Sequence, residues 1–201
     1  MEKKKLEEIK EVLLIIDVLN GFVREGKMAD PYTAHIIPEL VRLAIVMKEN
    51  GGEIIFIKDR HELGCTEFDR YPAHCVAGTS EAELVDELKP FEKDALVYYK
   101  NSTSAIFAPN FMNDISKMKK LRRIVAGGLE ADICDMNLLI PLNNYFDQID
   151  KRVEIIVPEN IVETFDSPTH NREEYKNMAL KLMEQSGIQI VKKYRLLSSW
   201  I

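Results

Sequence analysis

Ile124-Val125-Ala126-Gly127-Gly128-Leu129-Glu130-Ala131-Asp132-Ile133-Cys134 runs from a short apolar stretch, through a glycine pair, into a segment of helical character. It reads as a buried strand, a tight turn and a helix start, with a cysteine on the opening turn. Similar aliphatic runs recur along the chain. Residues 12–16 end at Asp17, residues 54–57 at Lys58-Asp59, residues 95–99 at Lys100 and residues 153–157 at Pro158, while residues 188–191 read as a last strand. Runs this continuous suit strands covered on both faces, as in a parallel sheet. Helical patterns lie between them. Ile36, Ile37, Leu40, Val41, Ala44 and Met47 form an apolar stripe stopped by Asn50-Gly51-Gly52. Residues 80–88, 109–118, 132–149 and 168–186 are expected to be helical too, with Pro141 kinking or shortening the segment 132–149. The expected fold is therefore α/β: a three-layer, doubly wound, mainly parallel six-stranded sheet flanked by helices. With no repeat, low-complexity tract or linker, residues 1–201 are expected to form one domain.

Composition agrees with an enzyme-sized globular unit. Hydrophobic residues make up 46% and charged residues 30% of the 201. A net charge of −6 argues against nucleic acid, which calls for an excess of Lys and Arg. The charged N-terminus is followed by no apolar run, so neither a signal peptide nor a membrane span is expected. Three irregularly spaced cysteines form no disulfide framework and point to a reducing, cytoplasmic setting. The apolar chain end, residues 196–201, is expected to pack on the body or on a partner subunit, as in a homo-oligomer.

In an open α/β sheet, ligands bind beyond the carboxyl ends of the strands. Four strands here end in Asp17, Asp59, Lys100 and the turn leading to Cys134. Unpaired backbone N–H groups at a helix start stabilise a thiolate and can hold an oxyanion. Cys134 is therefore the candidate nucleophile, Asp17 its proton acceptor and Lys100 the cation that holds both. Taken singly, each has a plainer reading: a buried apolar thiol, a turn residue, a solvated strand end. That plainer reading is preferred for Cys65 and Cys75. A second constellation is Asp59-Arg60-His61 with His74. One carboxylate and two imidazoles suit a divalent transition metal with positions left open, and Glu67 between them can supply another oxygen. His35 and His170, near expected helix starts, are given surface or capping roles and no chemistry.

These residues carry a family resemblance. Asp17-Val18-Leu19-Asn20-Gly21-Phe22, Lys100 followed by Ser104-Ala105, and Asp132-Ile133-Cys134 resemble, in order, the three signature blocks of the isochorismatase-like cysteine hydrolases. The resemblance implies a Cys134 nucleophile, Asp17 as acid/base and Lys100 as orienting cation. It also implies a cis peptide at Leu129-Glu130, with oxyanion donors from the amides of Glu130 and Cys134. The segment from Asp59 to Tyr71-Pro72-Ala73-His74-Cys75-Val76-Ala77-Gly78-Thr79 is similar to the metal block of nicotinamidases. That similarity implies Asp59, His61 and His74 as ligands with Glu67 as fourth, zinc first and iron or manganese next, and Phe22 and Tyr71 stacking on the substrate ring. The expected reaction is hydrolysis of nicotinamide to nicotinate and ammonia, as in NAD salvage. The alternatives are another small amide or carbamoyl substrate, or a non-catalytic metal- or ligand-binding relative. Departures from the pattern are Arg60 and Thr103 where aromatics are usual, Asn20-Gly21, one extra residue before Phe107, and Glu130, whose carboxylate is expected near the site entrance.

Overall fold

In a computed structural model the described residues are 6–195, so the expectation for residues 196–201 lies outside them. All six expected strands are present: β1 (Glu11–Ile16), β2 (Glu53–Asp59), β3 (Leu96–Lys100), β4 (Arg123–Gly128), β5 (Glu154–Pro158) and β6 (Gln189–Val191). They form one sheet in the order β3-β2-β1-β4-β5-β6, and every neighbouring pair is parallel. Helices α1 (Asn20–Val23), α2 (Ile37–Glu49), α3 (Lys89–Glu92), α4 (Phe111–Lys117), α5 (Met136–Gln148) and α6 (Arg172–Gln185) complete the chain with short 3-10 turns. Among the described residues no helix is long and apolar enough to cross a membrane.

The runs in β1, β2 and β4 are continuously apolar because both faces are covered. Val12, Leu14 and Ile16 join a core with Phe111 of α4, Leu138, Leu142 and Phe146 of α5, and Met183 of α6. Leu13 and Ile15 point the other way, into a core with Leu40, Leu43 and Met47 of α2. This period of two along β1 creates three layers. Burial of each such aliphatic side chain contributes about 1.5–3 kcal/mol.

One expectation about helices is corrected. Residues 80–88 form a 3-10 turn (Ser80–Ala82) and then an extended stretch. There Asn20 N–H donates to the Glu83 carbonyl at 2.9 Å, Val85 N–H donates to the Val18 carbonyl at 3.2 Å, and Leu84 bridges Leu19 antiparallel. Pairing with the segment after β1, together with full burial of Leu84, Val85 and Leu88, outweighs local helical preference. Pro141 does not end its helix: α5 runs through it. Proline lacks the N–H that would reach the carbonyl four residues back. That carbonyl, of Asn137, instead accepts a 2.7 Å bond from Ser104 Oγ, so the vacancy in the ladder is filled from the loop after β3.

β1 pairs with β2 on one side and β4 on the other, so the direction of chain progression reverses between β1 and β4, where such sheets open a crevice. Register carries Ile16 beside Ile57 and Gly128, and Asp59 beside Lys100. The glycine pair makes this approach possible. A Cβ on Gly127 would lie 2.6 Å from the Ile161 carbonyl, and one on Gly128 would overlap the Ile16 carbonyl; Gly128 also has φ +149°. Gly51, at φ +74° with nothing near its Cβ position, has conformational cost alone. Gly51→Ala is therefore expected to destabilise by about 1–2 kcal/mol, and Gly128→Ala by roughly 3 kcal/mol or more. Urea unfolding checks this, and equal losses at the two positions would refute it.

Candidate active site

The strand ends deliver their side chains to one buried point. Asp17, the residue after β1, has a left-handed backbone (φ +51°), a conformation Asp tolerates better than most residues. Its Oδ1 accepts the Asp59 amide at 2.8 Å, and its Oδ2 lies 2.9 Å from Lys100 Nζ. The same ammonium donates to Asp59 Oδ1 at 2.6 Å and to Cys134 Sγ at 3.5 Å. Asp17, Asp59 and Cys134 each bring a ligand atom within 4.8 Å of the others, and all are buried. The three expected catalytic residues thus meet, and Asp59 joins them.

Burial sets the electrostatics. It pushes the Asp17 carboxyl up to about 6, against the pull of Lys100 and with the push of Asp59. For Asp59 burial acts the same way, but Lys100, His61 and His74 prevail and hold its carboxyl well below the usual range. The Cys134 thiol is pushed well above its ordinary value, by burial first and then by Asp17 and Asp59, with Lys100 opposing. The thiolate expected at a helix start is therefore corrected: two carboxylates and desolvation favour the thiol. The turn itself is π-helical (Ala131–Asp135) before α5 begins.

The peptide Leu129-Glu130 is cis, as expected. Around this turn the amides of Leu129, Ala131, Ile133 and Asp135 are taken by backbone carbonyls, and none of those bonds uses the Glu130 amide. The Glu130 side chain does not reach the entrance. It is buried against Thr164 and Phe165 near Asp132 and Asp135, and burial raises its carboxyl well above the usual range. Asp135 is buried too, its carboxyl raised by burial and then by Asp17, and neither oxygen has a hydrogen-bond partner.

The second constellation abuts the first. Asp59, His61 and His74 offer ligand atoms within 4.8 Å of one another. His61 Nδ1 bonds Asn101 Oδ1 at 2.8 Å and His74 Nδ1 bonds the Pro72 carbonyl at 2.7 Å. Both acceptors require N–H at Nδ1, which leaves each Nε2 facing Asp59, at 3.4 and 3.6 Å. The 3.4 Å approach is an ion-pair distance without hydrogen-bond geometry, so His61 Nε2 is a buried nitrogen with no hydrogen-bond partner. Burial opposes an imidazolium there, yet the Asp59 carboxylate pushes the His61 pKa up to about 9. Two imidazole nitrogens and a carboxylate, the imidazoles oriented from behind, fit a divalent metal. Glu67 is buried next to His61 but falls outside the tight three-residue set.

Aromatic rings surround His74: Phe22 at 5.5 Å, Phe68 at 5.6 Å and Tyr71 at 6.5 Å between centroids. Phe68 also sits 5.2 Å from His61 and was missed in the sequence, although it directly follows Glu67. Asn101 was missed as well; its place beside Lys100 at a strand end was the signal. Arg60 stacks on Tyr99 at 5.0 Å, and Thr103 is half-buried. Cys75 is buried as expected, whereas Cys65 is half-buried with its Sγ 3.7 Å from His61 Nδ1. His35 is an exposed partner of Glu163. His170 is buried, contrary to its expected surface role.

The isochorismatase domain family model matches residues 11–193. Nicotinamidase 1 of Arabidopsis thaliana is 27% identical over 201 residues, covering 90% of this chain and 81% of that protein. The crystal structure of N-carbamoylsarcosine amidase from Thermoplasma acidophilum superposes with a TM-score of 0.76 at 20% identity, covering 94% of this chain and all of the other. Pyrazinamidase of Pyrococcus horikoshii in complex with zinc gives 0.73 at 23% identity, covering 91% and 99%. At these identities the structural matches establish the fold.

Removing the ammonium would leave two buried carboxylates facing each other. Lys100→Met is expected to destabilise the protein by about 3–5 kcal/mol, the usual consequence of breaking a buried pair from one side. A denaturation midpoint equal to that of the unaltered protein would contradict the geometry.

Proposed function

The chain belongs to the isochorismatase family, and from that premise and the buried meeting of Asp17, Lys100 and Cys134 we propose that it is an amidohydrolase converting nicotinamide to nicotinate and ammonia. The observation that carries the reading is Lys100 Nζ, which touches Asp17, Asp59 and Cys134 at once. A binding protein has no need of a buried lysine shared between a thiol and two carboxylates.

Cys134 rests as a thiol. Asp17, with its pKa raised to about 6, takes the proton as Sγ attacks the carboxamide carbon. The oxyanion that forms is held by the amides of Glu130 and Cys134. Collapse breaks the C–N bond, and Asp17 returns the proton to the departing ammonia. Water then attacks the Cys134 thioester, giving nicotinate and restoring the thiol. Lys100 keeps Asp17 and Cys134 in register throughout and offsets the charge that passes between them.

Asp59, His61 and His74 would hold a divalent ion, with Glu67 reaching it from outside the tight set. Such an ion supplies a coordination position for the ring nitrogen of the substrate. Zinc is the first candidate, in keeping with the zinc complex of a pyrazinamidase of the same fold. Phe22, Phe68 and Tyr71 offer the flat apolar surround that a pyridine ring needs.

A panel of nicotinamide, pyrazinamide and N-carbamoyl compounds, read by ammonia release, tests the substrate. Preferred turnover of a carbamoyl compound would move the assignment to that class, and no turnover of any would leave a binding protein. Cys134→Ala is expected to abolish ammonia release, with the residual rate at least about 10³-fold down. Protein purified without added metal is expected to carry roughly one ion per chain, lost on Asp59→Ala. Full activity of Asp59→Ala in metal-stripped protein would remove the metal from the account.

A further inference from the structure

Behind the nucleophile turn lies a polar cluster that the reaction does not use directly. Asp132, two residues before Cys134, has both carboxylate oxygens engaged: Thr164 Oγ1 donates to Oδ1 at 2.6 Å and His170 Nε2 lies 2.9 Å from Oδ2. The other ring nitrogen of His170 is 3.1 Å from the Phe165 carbonyl. The imidazole is sandwiched between Phe165 (3.9 Å, interplanar 10°) and Tyr175 of α6 (3.8 Å, 29°). It is fixed on two faces and two edges, which leaves it little rotational freedom.

The same segment grips the turn through the backbone. Glu163 N–H donates to the Gly128 carbonyl at 3.2 Å, and Ala131 N–H donates to the Glu163 carbonyl at 2.9 Å. The stretch from Gly128 to Asp132, which includes the cis peptide, is thus held at three successive points, and only the last is made by side chains. Cys134 follows two residues later in the same π-helical turn. A displacement at Asp132 would pass to Sγ and to the amides beside it, because only Ile133 lies between.

We propose that His170, with Thr164, is a positioning residue for catalysis, acting through Asp132 to set the place of Cys134 and the neighbouring amides. The proposal rests on Cys134 being the nucleophile, as assigned above. Its energetic content is geometric: a shift of about 1 Å in a reacting group can cost on the order of 100-fold in rate. The effect belongs in kcat, since the ring contacts of His170 are to Phe165 and Tyr175 and not to Phe22, Phe68 or Tyr71.

Two variants separate the hydrogen bond from the packing. His170→Phe keeps a flat ring between Phe165 and Tyr175 but removes both polar edges. His170→Gln keeps a donor for Asp132 but loses the ring. With nicotinamide as substrate, His170→Phe is expected to lower kcat about 10- to 100-fold with little change in KM, and His170→Gln to recover most of that loss. Melting temperatures recorded alongside show whether either variant is simply unfolded. Unchanged kcat in His170→Phe, or equal losses in both variants, would overturn the proposal. A readout independent of substrate is the rate of iodoacetamide alkylation at Cys134, resolved by peptide mass spectrometry. It is expected to fall several-fold in His170→Phe, with Cys65 as internal reference, and an unchanged rate would count against the proposal. If the unaltered protein fails to hydrolyse nicotinamide, the substrate assignment falls, and the alkylation rates still decide this one.

Discussion

One ammonium group organises this molecule. Lys100 is buried, and a lone cation there would be far too costly to keep. It is retained because two carboxylates, Asp17 and Asp59, approach within 2.9 and 2.6 Å. Those approaches demand that β1, β2 and β3 end level with one another, which the parallel register provides. They also demand that the chain turn sharply after β1, hence the left-handed Asp17, and that β4 come close on the far side, hence Gly127 and Gly128. Much of the backbone geometry at this end of the sheet follows from accommodating a single charge.

The arrangement also decides how the nucleophile is prepared. A thiol at a helix start is usually read as ready-ionised, but here burial and two neighbouring carboxylates act against the thiolate. Lys100 cannot compensate fully, because its charge is already shared. In the proposed reaction the proton leaves as the bond to carbon forms, and Asp17 is the group whose raised pKa suits it to receive and return that proton. Asp59 takes part in both constellations: one oxygen faces Lys100 and His61, and the other faces His74. The candidate metal ligands and the triad share Asp59 and form one ion-paired unit.

The fold was legible in the sequence wherever a strand was buried on both faces, because Val12 to Ile16, Ile54 to Ile57 and Ile124 to Ala126 leave no polar residue to interrupt the run. Cys134, Asp17 and Lys100 were legible because each ends or follows such a run. What escaped was set by contacts distant in sequence. Residues 80–88 have a helical pattern yet pair with residues 18–20. Glu130, expected to place its carboxylate near the site entrance, is buried against Thr164. Asn101 and His170 acquire roles only through partners 40 and 38 residues away, His61 and Asp132, which no local pattern reveals.

The bond from Ser104 to the Asn137 carbonyl bears on how the loop after β3 tolerates a change in length. Pro141 leaves an acceptor open on α5, and Ser104 ties the loop to that helix four residues beyond Lys100. The surplus residue before Phe107 falls on the downstream side, where Ala105 and Ala108 stay buried and Phe107 is turned out, 79% exposed. A proline that looks like a flaw in a helix thus leaves the acceptor that ties the loop after Lys100 to α5.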